Sequence, residues 1–150
     1  MKWIGTYKLW LISLLFSSLT IVYTYGQSAK EHFDQGVANY EAGELEKAIR
    51  DFTHAIELDA NYAEAYINRG LAYYGLGKFQ QAIADYNKAI ELDPSKLYAY
   101  YNRGLAYHSS GDLEQAIEDF ELYLELAPLA TNREIVINKI AELKLKLKKE

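Results

Sequence analysis

Apolar residues recur at helical spacing along most of the chain, in a pattern that repeats with a period of 34 residues. In the most regular copy, apolar positions three and four apart predict one helix from Ala63 to Leu76 and another from Phe79 to Leu92. Gly77 is placed to end the first helix in the left-handed conformation. Asp93-Pro94 ends the second, because proline cannot continue the hydrogen-bond ladder. Each copy is therefore predicted to be a pair of helices joined by a short turn.

Small and aromatic residues keep the same 34-residue step. The recurring sets are Gly36/Gly70/Gly104, Gly43/Gly77/Gly111, Ala48/Ala82/Ala116 and Phe52/Tyr86/Phe120. Small residues allow the helices of a pair to approach closely, and aromatic residues such as Tyr66, Tyr73 and Tyr86 are predicted to fill the space between neighbours. We place the units at 29–62, 63–96 and 97–130.

The second and third units share one string, which in the second runs Tyr66-x2-Arg69-Gly70-x2-Tyr73, Ala82-x3-Tyr86 and Pro94. This string resembles the tetratricopeptide repeat pattern. The first unit is looser, with His32, Gln35 and Asn39 where the pattern prefers tryptophan, leucine and tyrosine. The resemblance implies an all-α fold, an α-solenoid of three tetratricopeptide-type helix-turn-helix repeats that curves into a right-handed superhelix.

Residues 131–150 do not continue the repeat and are predicted to form a single helix with Thr131 or Asn132 as its N-cap. Its apolar stripe comprises Val136, Ile140, Leu143 and Leu147. The last unit would otherwise leave apolar surface in water, so we interpret this helix as a cap on the stack. Docking of its lysine-rich end, residues 144–149, on an anionic membrane is an alternative interpretation. Tyr123 stands where the earlier units have alanine, which should change how this helix packs.

The first 26 residues are interpreted as a signal peptide rather than as part of the fold. Lys2 and Lys8 precede an uncharged stretch from Leu9 to Tyr23, and Gly26 is a small residue suited to cleavage. An uncleaved membrane anchor is the alternative, but the stretch is shorter than the ~20 apolar residues that a spanning helix needs. We therefore expect the protein outside the cytoplasm, either periplasmic or secreted, or else anchored to the inner membrane by residues 9–25.

Charge and composition exclude several function classes. The predicted signal peptide, residues 1–26, holds two of the 16 basic residues and none of the 21 acidic ones. The rest of the chain therefore has a formal net charge of −7. Such a surface repels phosphate backbones and argues against nucleic acid as a partner. The absence of cysteine excludes disulfides, thiolate zinc sites and a cysteine nucleophile.

No catalytic or metal-binding motif stands out. None of His32, His54 and His108 lies three or four residues from another, so no helical metal pair is predicted, and His32 is interpreted as a packing residue. The acidic pair Glu118-Asp119 is interpreted as part of a solvated face. Motifs for phosphate loops and serine nucleophiles are missing from the sequence, so we predict neither an enzyme nor a cofactor.

The resemblance implies that the first helix of each unit lines a concave groove that binds a protein or peptide. The candidate groove residues are Tyr40, Asn68, Tyr74, Tyr98, Tyr101, Asn102 and His108. Tyrosines offer large rigid contact surfaces, and asparagines can hold a peptide backbone through paired amide hydrogen bonds. The alternative is that these side chains only pack against neighbouring units.

Family members that clamp the C-terminal carboxylate of chaperones use lysine, asparagine and arginine on the concave helices. The matching positions here are Phe33, Val37, Asn68, Tyr98 and Asn102, and only Asn68 conforms. The predicted function is a protein- or peptide-binding adaptor or scaffold. The alternatives are a structural or homo-oligomerising component, or a regulatory subunit, of a larger cell-envelope complex.

Overall fold

Every regular element that the computed structural model describes, across residues 28–149, is a helix. The helices are α1 (28–41), α2 (Leu45–Leu58), α3 (Ala63–Gly75), α4 (Phe79–Leu92), α5 (Leu97–Ser110), α6 (Leu113–Leu126) and α7 (Arg133–Leu147). The predicted all-α solenoid is confirmed: three successive helix pairs stack side by side, and α7 packs on the last pair. The predicted signal peptide, residues 1–26, lies outside the described residues. Among the helices described, none combines the length and apolar character that crossing a membrane requires.

The turn inside each pair is built by a glycine that follows the first helix. Gly77 adopts φ +72°, a conformation that side-chain-bearing residues rarely take. The N–H of Lys78 donates to the carbonyl of Tyr73 at 2.9 Å, and the N–H of Gly77 donates to that of Tyr74 at 2.9 Å. These two bonds form a Schellman motif that satisfies the last carbonyls of α3. The chain can therefore reverse direction within three residues and start α4.

Close helix contact within a pair depends on a second glycine. A Cβ built on Gly70 would lie 2.7 Å from the ring of Tyr86, which is nearer than any real Cβ contact. Tyr86 is fully buried, as are Ala82 and Ala89 on the same helix. Tyr73 is half-buried and packs against the core cluster that contains Ala82 and Tyr86, as predicted. Tyr66 is also half-buried, and both rings lie beside a guanidinium.

That guanidinium belongs to Arg69, which joins three helices. Its Nε and Nη2 donate to the two carboxylate oxygens of Asp85 in α4 at 2.8 and 2.7 Å, and its Nη1 donates to Thr53 in α2 at 3.1 Å. The ring centroids of Tyr66 and Tyr73 lie 5.5 and 5.9 Å from it. Each such arginine thus ties its own unit together and holds the unit before it.

The third unit repeats this arrangement one step along the stack. Arg103 donates to both oxygens of Asp119 at 2.7 and 2.6 Å, and to Asn87 of the preceding unit at 2.6 Å. The interpretation of Asp119 as a solvated residue is therefore wrong: it is buried because a guanidinium satisfies its charge. Its neighbour Glu118 is exposed, as expected for the outer face of α6.

Helix α7 covers the end of the stack. Val136, Ile140 and Leu143 are buried against the α6 residues Phe120 and Tyr123 in one cluster. Asn132 occupies the N-cap position, but its side chain makes no capping bond. Its Oδ1 instead accepts a hydrogen bond from the Tyr123 hydroxyl at 2.8 Å. The bulky residue in place of alanine thus fixes where the last helix begins.

Tyr86 carries a polar atom that the core does not satisfy. Its Oη is buried and has no hydrogen-bond partner among the described residues, and burial raises the pKa of Tyr86 well above its usual range. The equivalent residues in the other units are phenylalanines, Phe52 and Phe120. We expect Tyr86→Phe to raise the free energy of unfolding by about 1–2 kcal/mol, because it removes an unpaired buried hydroxyl.

Urea denaturation of purified protein measures this gain. Tyr123→Phe is the matched control, because it deletes a hydroxyl that does have a partner, and it should lower the free energy of unfolding by about 0.5–1.5 kcal/mol. Equal losses in the two variants would show that the Tyr86 hydroxyl is satisfied in solution.

Candidate functional site

The first helix of each pair lies on the inner side of the stack. Helices α3 and α5 contact each other directly, whereas the fully described second helices α2, α4 and α6 do not touch one another. In a curved stack, the layer whose members come closest follows the shorter arc. The concave surface of the described chain is therefore built on α1, α3 and α5, where all seven predicted groove residues lie.

Two of the predicted groove tyrosines, Tyr74 and Tyr101, contact neighbouring helices of the stack. The Tyr74 hydroxyl lies 3.1 Å from the Ser109 hydroxyl of α5, and its ring centroid lies 5.5 Å from that of Phe79. Tyr101 packs with centroid distances of 5.8 Å to Phe120 and 5.2 Å to Tyr123. Both rings join neighbouring helices, so replacing them would disturb the stack together with any ligand contact.

Tyr98 is the most accessible of the predicted groove tyrosines. Its side chain is 70% exposed, against 36% for Tyr40. It borders a hollow of about 420 Å³ at the junction of α5, α6 and the start of α7. The other residues lining this hollow are Leu97, Tyr123, Ala127, Leu129, Ala130, Thr131 and Asn132. An aromatic ring at the mouth of an apolar hollow offers a ligand side chain both a surface and a recess.

The two predicted asparagines differ in how much hydrogen-bonding capacity remains. Asn68 donates through Nδ2 to the carbonyl of Glu64 in its own helix at 2.8 Å. Asn102 is half-buried and makes no side-chain hydrogen bond to any residue that the structure describes. It lies one helical turn after Tyr98, on the same face of α5. Asn102 therefore keeps its full amide for a ligand.

Two lysines on the inner face, Lys30 and Lys96, are each paired with carboxylates. Lys30 contacts Asp34 at 2.8 Å in α1. Lys96, the N-cap residue of α5, donates to Glu64 of α3 at 2.5 Å, and this hydrogen bond lowers the pKa of Glu64. The ammonium groups of these two lysines are therefore already neutralised and do not favour a strongly acidic ligand.

His108 lies where α7 closes the groove. Burial lowers the pKa of His108, and the nearby ammonium of Lys139 in α7 lowers it further, whereas the carboxylate of Glu142 opposes this shift. Lys139 in turn is paired with Glu142 at 3.0 Å. Helix α7, predicted as a cap on the stack, thus also borders the inner helix α5 at His108.

Family comparisons agree with this architecture. A family model described as TPR repeat matches residues 36–77, and two described as Tetratricopeptide repeat match residues 63–96 and 86–142. The TPR domain of Arabidopsis OM64 is 30% identical, with a TM-score of 0.75 over 79% of this chain and 98% of that domain. The chain belongs to the tetratricopeptide repeat family. No curated protein matches it.

Other solved tetratricopeptide repeat domains of similar size carry bound peptides. The second TPR domain of human RPAP3, solved in complex with the HSP70 peptide SGPTIEEVD, is 32% identical, with a TM-score of 0.71 over 80% of this chain and 98% of that one. The TPR2B domain of yeast Sti1, in a pHsp70 complex, is 27% identical, with a TM-score of 0.70 over 82% of this chain and 98% of that one.

The tetratricopeptide repeat stack also brings together two histidines that sequence spacing did not pair. His32 in α1 and His54 in α2 have ring centroids 5.2 Å apart, in an edge-on arrangement. A test for histidines three or four residues apart cannot detect them, because they lie on different helices. Once α1 and α2 are known to pack as a helix pair, the contact can be predicted, because residue 32 of α1 then faces residue 54 of α2.

Proposed function

We propose that this protein is an adaptor whose concave groove binds an extended peptide segment of low net charge. The observation that carries the proposal is the pairing of an exposed ring, Tyr98, with the unengaged amide of Asn102 on the inner helix α5. The amide can donate to and accept from a peptide backbone, while the ring supplies a rigid contact. Tetratricopeptide neighbours with bound peptides support this use of the groove.

The ligand class follows from the charges of the inner face. Phe33, Val37 and Tyr98 carry neither a cation nor an amide, although they occupy positions where chaperone-tail binders are expected to carry one. The inner-face lysines Lys30 and Lys96 are held in ion pairs. A strongly acidic tail would find no free cation among these groups, so aromatic and polar peptide side chains are the better match.

A peptide-display selection on the purified protein, followed by titration calorimetry, tests this function. We expect the selected peptides to be rich in aromatic and polar residues and to lose at least tenfold in affinity with Tyr98→Ala combined with Asn102→Ala. The control pair is Gln115→Ala with Glu118→Ala on the exposed face of α6, which should bind unchanged. Loss of peptide binding in the control variant alone would show that the peptide binds to the outer face of α6 and not to the groove.

The HSP70 peptide SGPTIEEVD serves as a probe of ligand class in the same titration. We expect it to bind at least tenfold more weakly than the selected peptides, because Lys30 and Lys96 on the inner face are already held in ion pairs. Tight binding of SGPTIEEVD would instead assign this groove to acidic tails. Circular dichroism of each variant confirms that helicity is kept.

We also propose that the adaptor works outside the cytoplasm. The support is the basic start and uncharged stretch within residues 1–26, which have the order of a signal peptide. Expression of the full chain in a bacterium should yield a product that begins at Gln27 and is released with the envelope fraction. Mass spectrometry of the N-terminus measures this, and an intact chain in the membrane fraction would favour the anchor.

Self-association is a second candidate function that one observation favours. The apolar stripe of α7 is covered by its own chain, because Val136, Ile140 and Leu143 pack on α6. Other apolar side chains at this end remain exposed: Leu129, Ile135, Ile137 and Leu145. Sedimentation of the processed chain over a concentration range separates the two functions, since an adaptor that works alone stays monomeric throughout.

A further inference from the structure

A second cluster of polar side chains lies between α1 and α2, in the first unit. His32 of α1 and Asp51 and His54 of α2 each offer one ligand atom, and these atoms all lie within 4.8 Å of one another. We propose that His32, Asp51 and His54 bind a divalent transition-metal ion of the zinc type. Two imidazoles and one carboxylate are a ligand set that such ions accept, with water in the fourth position.

The 34-residue repeat shows why this carboxylate can take a metal. The residues equivalent to Asp51 in the later units are Asp85 and Asp119, and each receives two hydrogen bonds from an arginine. At the arginine position the first unit has Gln35, which carries no charge. Asp51 therefore keeps its fold position without the guanidinium, and a bound cation can supply the missing positive charge.

The histidines occupy the remaining positions of the same arrangement. His32 stands where the later units have Tyr66 and Tyr100, whose rings lie beside those arginines. His54 stands where they have Lys88 and Leu122. In the first unit, two imidazoles therefore lie near the carboxylate that an arginine contacts in the later units.

The carboxylate is already oriented by a neighbour. Nδ2 of Asn39 donates to Oδ2 of Asp51 at 2.6 Å, which leaves Oδ1 for an ion. Such an outer hydrogen bond is what fixes a metal-binding carboxylate in known sites. Asp51 and His54 lie three residues apart on one face of α2, so the backbone holds them together.

Small side-chain movements would complete the coordination. Ligand atoms at about 2.0–2.1 Å from a tetrahedral ion lie about 3.3 Å from one another. Each distance between the three ligand atoms must therefore shorten by at most about 1.5 Å. His54 is exposed on the surface of α2. Both histidines border an open hollow of about 310 Å³ that also contacts Glu57, which leaves room for a water ligand.

Calorimetric titration of the untagged, chelator-treated full-length chain with Zn²⁺ tests the site, and Co²⁺ absorption reports its geometry. We expect one ion per chain and a Co²⁺ spectrum of four-coordinate type. His32→Tyr and His54→Lys install the residues that the second unit carries at these positions, so they should keep the fold. Each should weaken Zn²⁺ binding at least tenfold, whereas His108→Ala, which removes the histidine at the groove end, should leave it unchanged.

Three results would overturn the proposal, the first two of which concern the wild-type chain and the His32 and His54 variants. The first is a wild-type chain that gives no heat with Zn²⁺ and no Co²⁺ absorption band. The second is binding that survives both His32→Tyr and His54→Lys while the circular dichroism spectra stay the same. Loss of binding in His108→Ala alone would likewise place the ion elsewhere.

Discussion

We expect Arg69→Met to lower the free energy of unfolding by about 3–5 kcal/mol at pH 7, because it leaves the carboxylate of Asp85 buried without its partner. The side chain of Asp85 is only 8% exposed and that of Arg69 is 17% exposed. Water therefore replaces little of the lost interaction. Chemical denaturation followed by circular dichroism measures the change, and a loss below 1 kcal/mol would show that the pair is solvated.

A matched control is Arg50→Met, which makes the same substitution at an exposed position on α2 and should change stability by no more than about 0.5 kcal/mol. Arg69→Met combined with Asp85→Leu should recover much of the loss, because no charge is then left in the interior. Failure of the double variant to recover would assign the effect to packing of the arginine stem.

The deficit of Arg69→Met should depend on pH in a defined direction. Burial raises the pKa of Asp85 in the native protein, and the hydrogen bonds from Arg69 oppose that rise. Without Arg69 the folded-state pKa rises further above the unfolded value. A carboxyl of this kind costs stability above its unfolded pKa and costs none when protonated in both states. We therefore expect the deficit to shrink as the pH falls from 7 towards about 4.

Leu143→Ala should lower the free energy of unfolding by about 2–5 kcal/mol, because it opens a cavity where α7 meets α6. Leu143 is 1% exposed and packs in the cluster that contains Phe120, Tyr123 and Val136. Without a tight cap, the last helix pair presents apolar surface to water. Thermal unfolding monitored at 222 nm should show a lower Tm.

The control for Leu143 lies two residues further along the same helix. Leu145 is 59% exposed, so Leu145→Ala removes the same atoms from the surface and should change stability by no more than about 0.5 kcal/mol. Equal effects of the two substitutions would mean that α7 is not docked on the stack in solution.

The backbone of this protein could be predicted from its sequence because short-range signals define it. Gly77 and Pro94 recur with the 34-residue period, and the bounds predicted for α4 are those observed. Helix α3 ends one residue earlier than predicted, at Gly75, because the Schellman turn begins there. Such signals depend on neighbours along the chain and need no tertiary structure.

Contacts between side chains on different helices were not predicted. Arg69 and Asp85 are 16 residues apart, and their meeting depends on how two helices are rotated against each other. Their joint recurrence as Arg103 and Asp119 was a usable signal, since opposite charges that repeat together indicate a pair. The groove residues stay predictions, although the structure separates the accessible Tyr98 from Tyr74, which ties two helices.

The arginines make equivalent hydrogen bonds at successive unit–unit contacts of the stack. Arg69 reaches back to Thr53, and Arg103 reaches back to Asn87 in the same way, so each unit offers its successor a similar polar acceptor. A duplicated copy of the second unit, placed after itself, would find suitable partners on both sides. Gene duplication can therefore lengthen such a protein by one repeat unit at a time, because the new unit–unit interface reuses contacts that already exist.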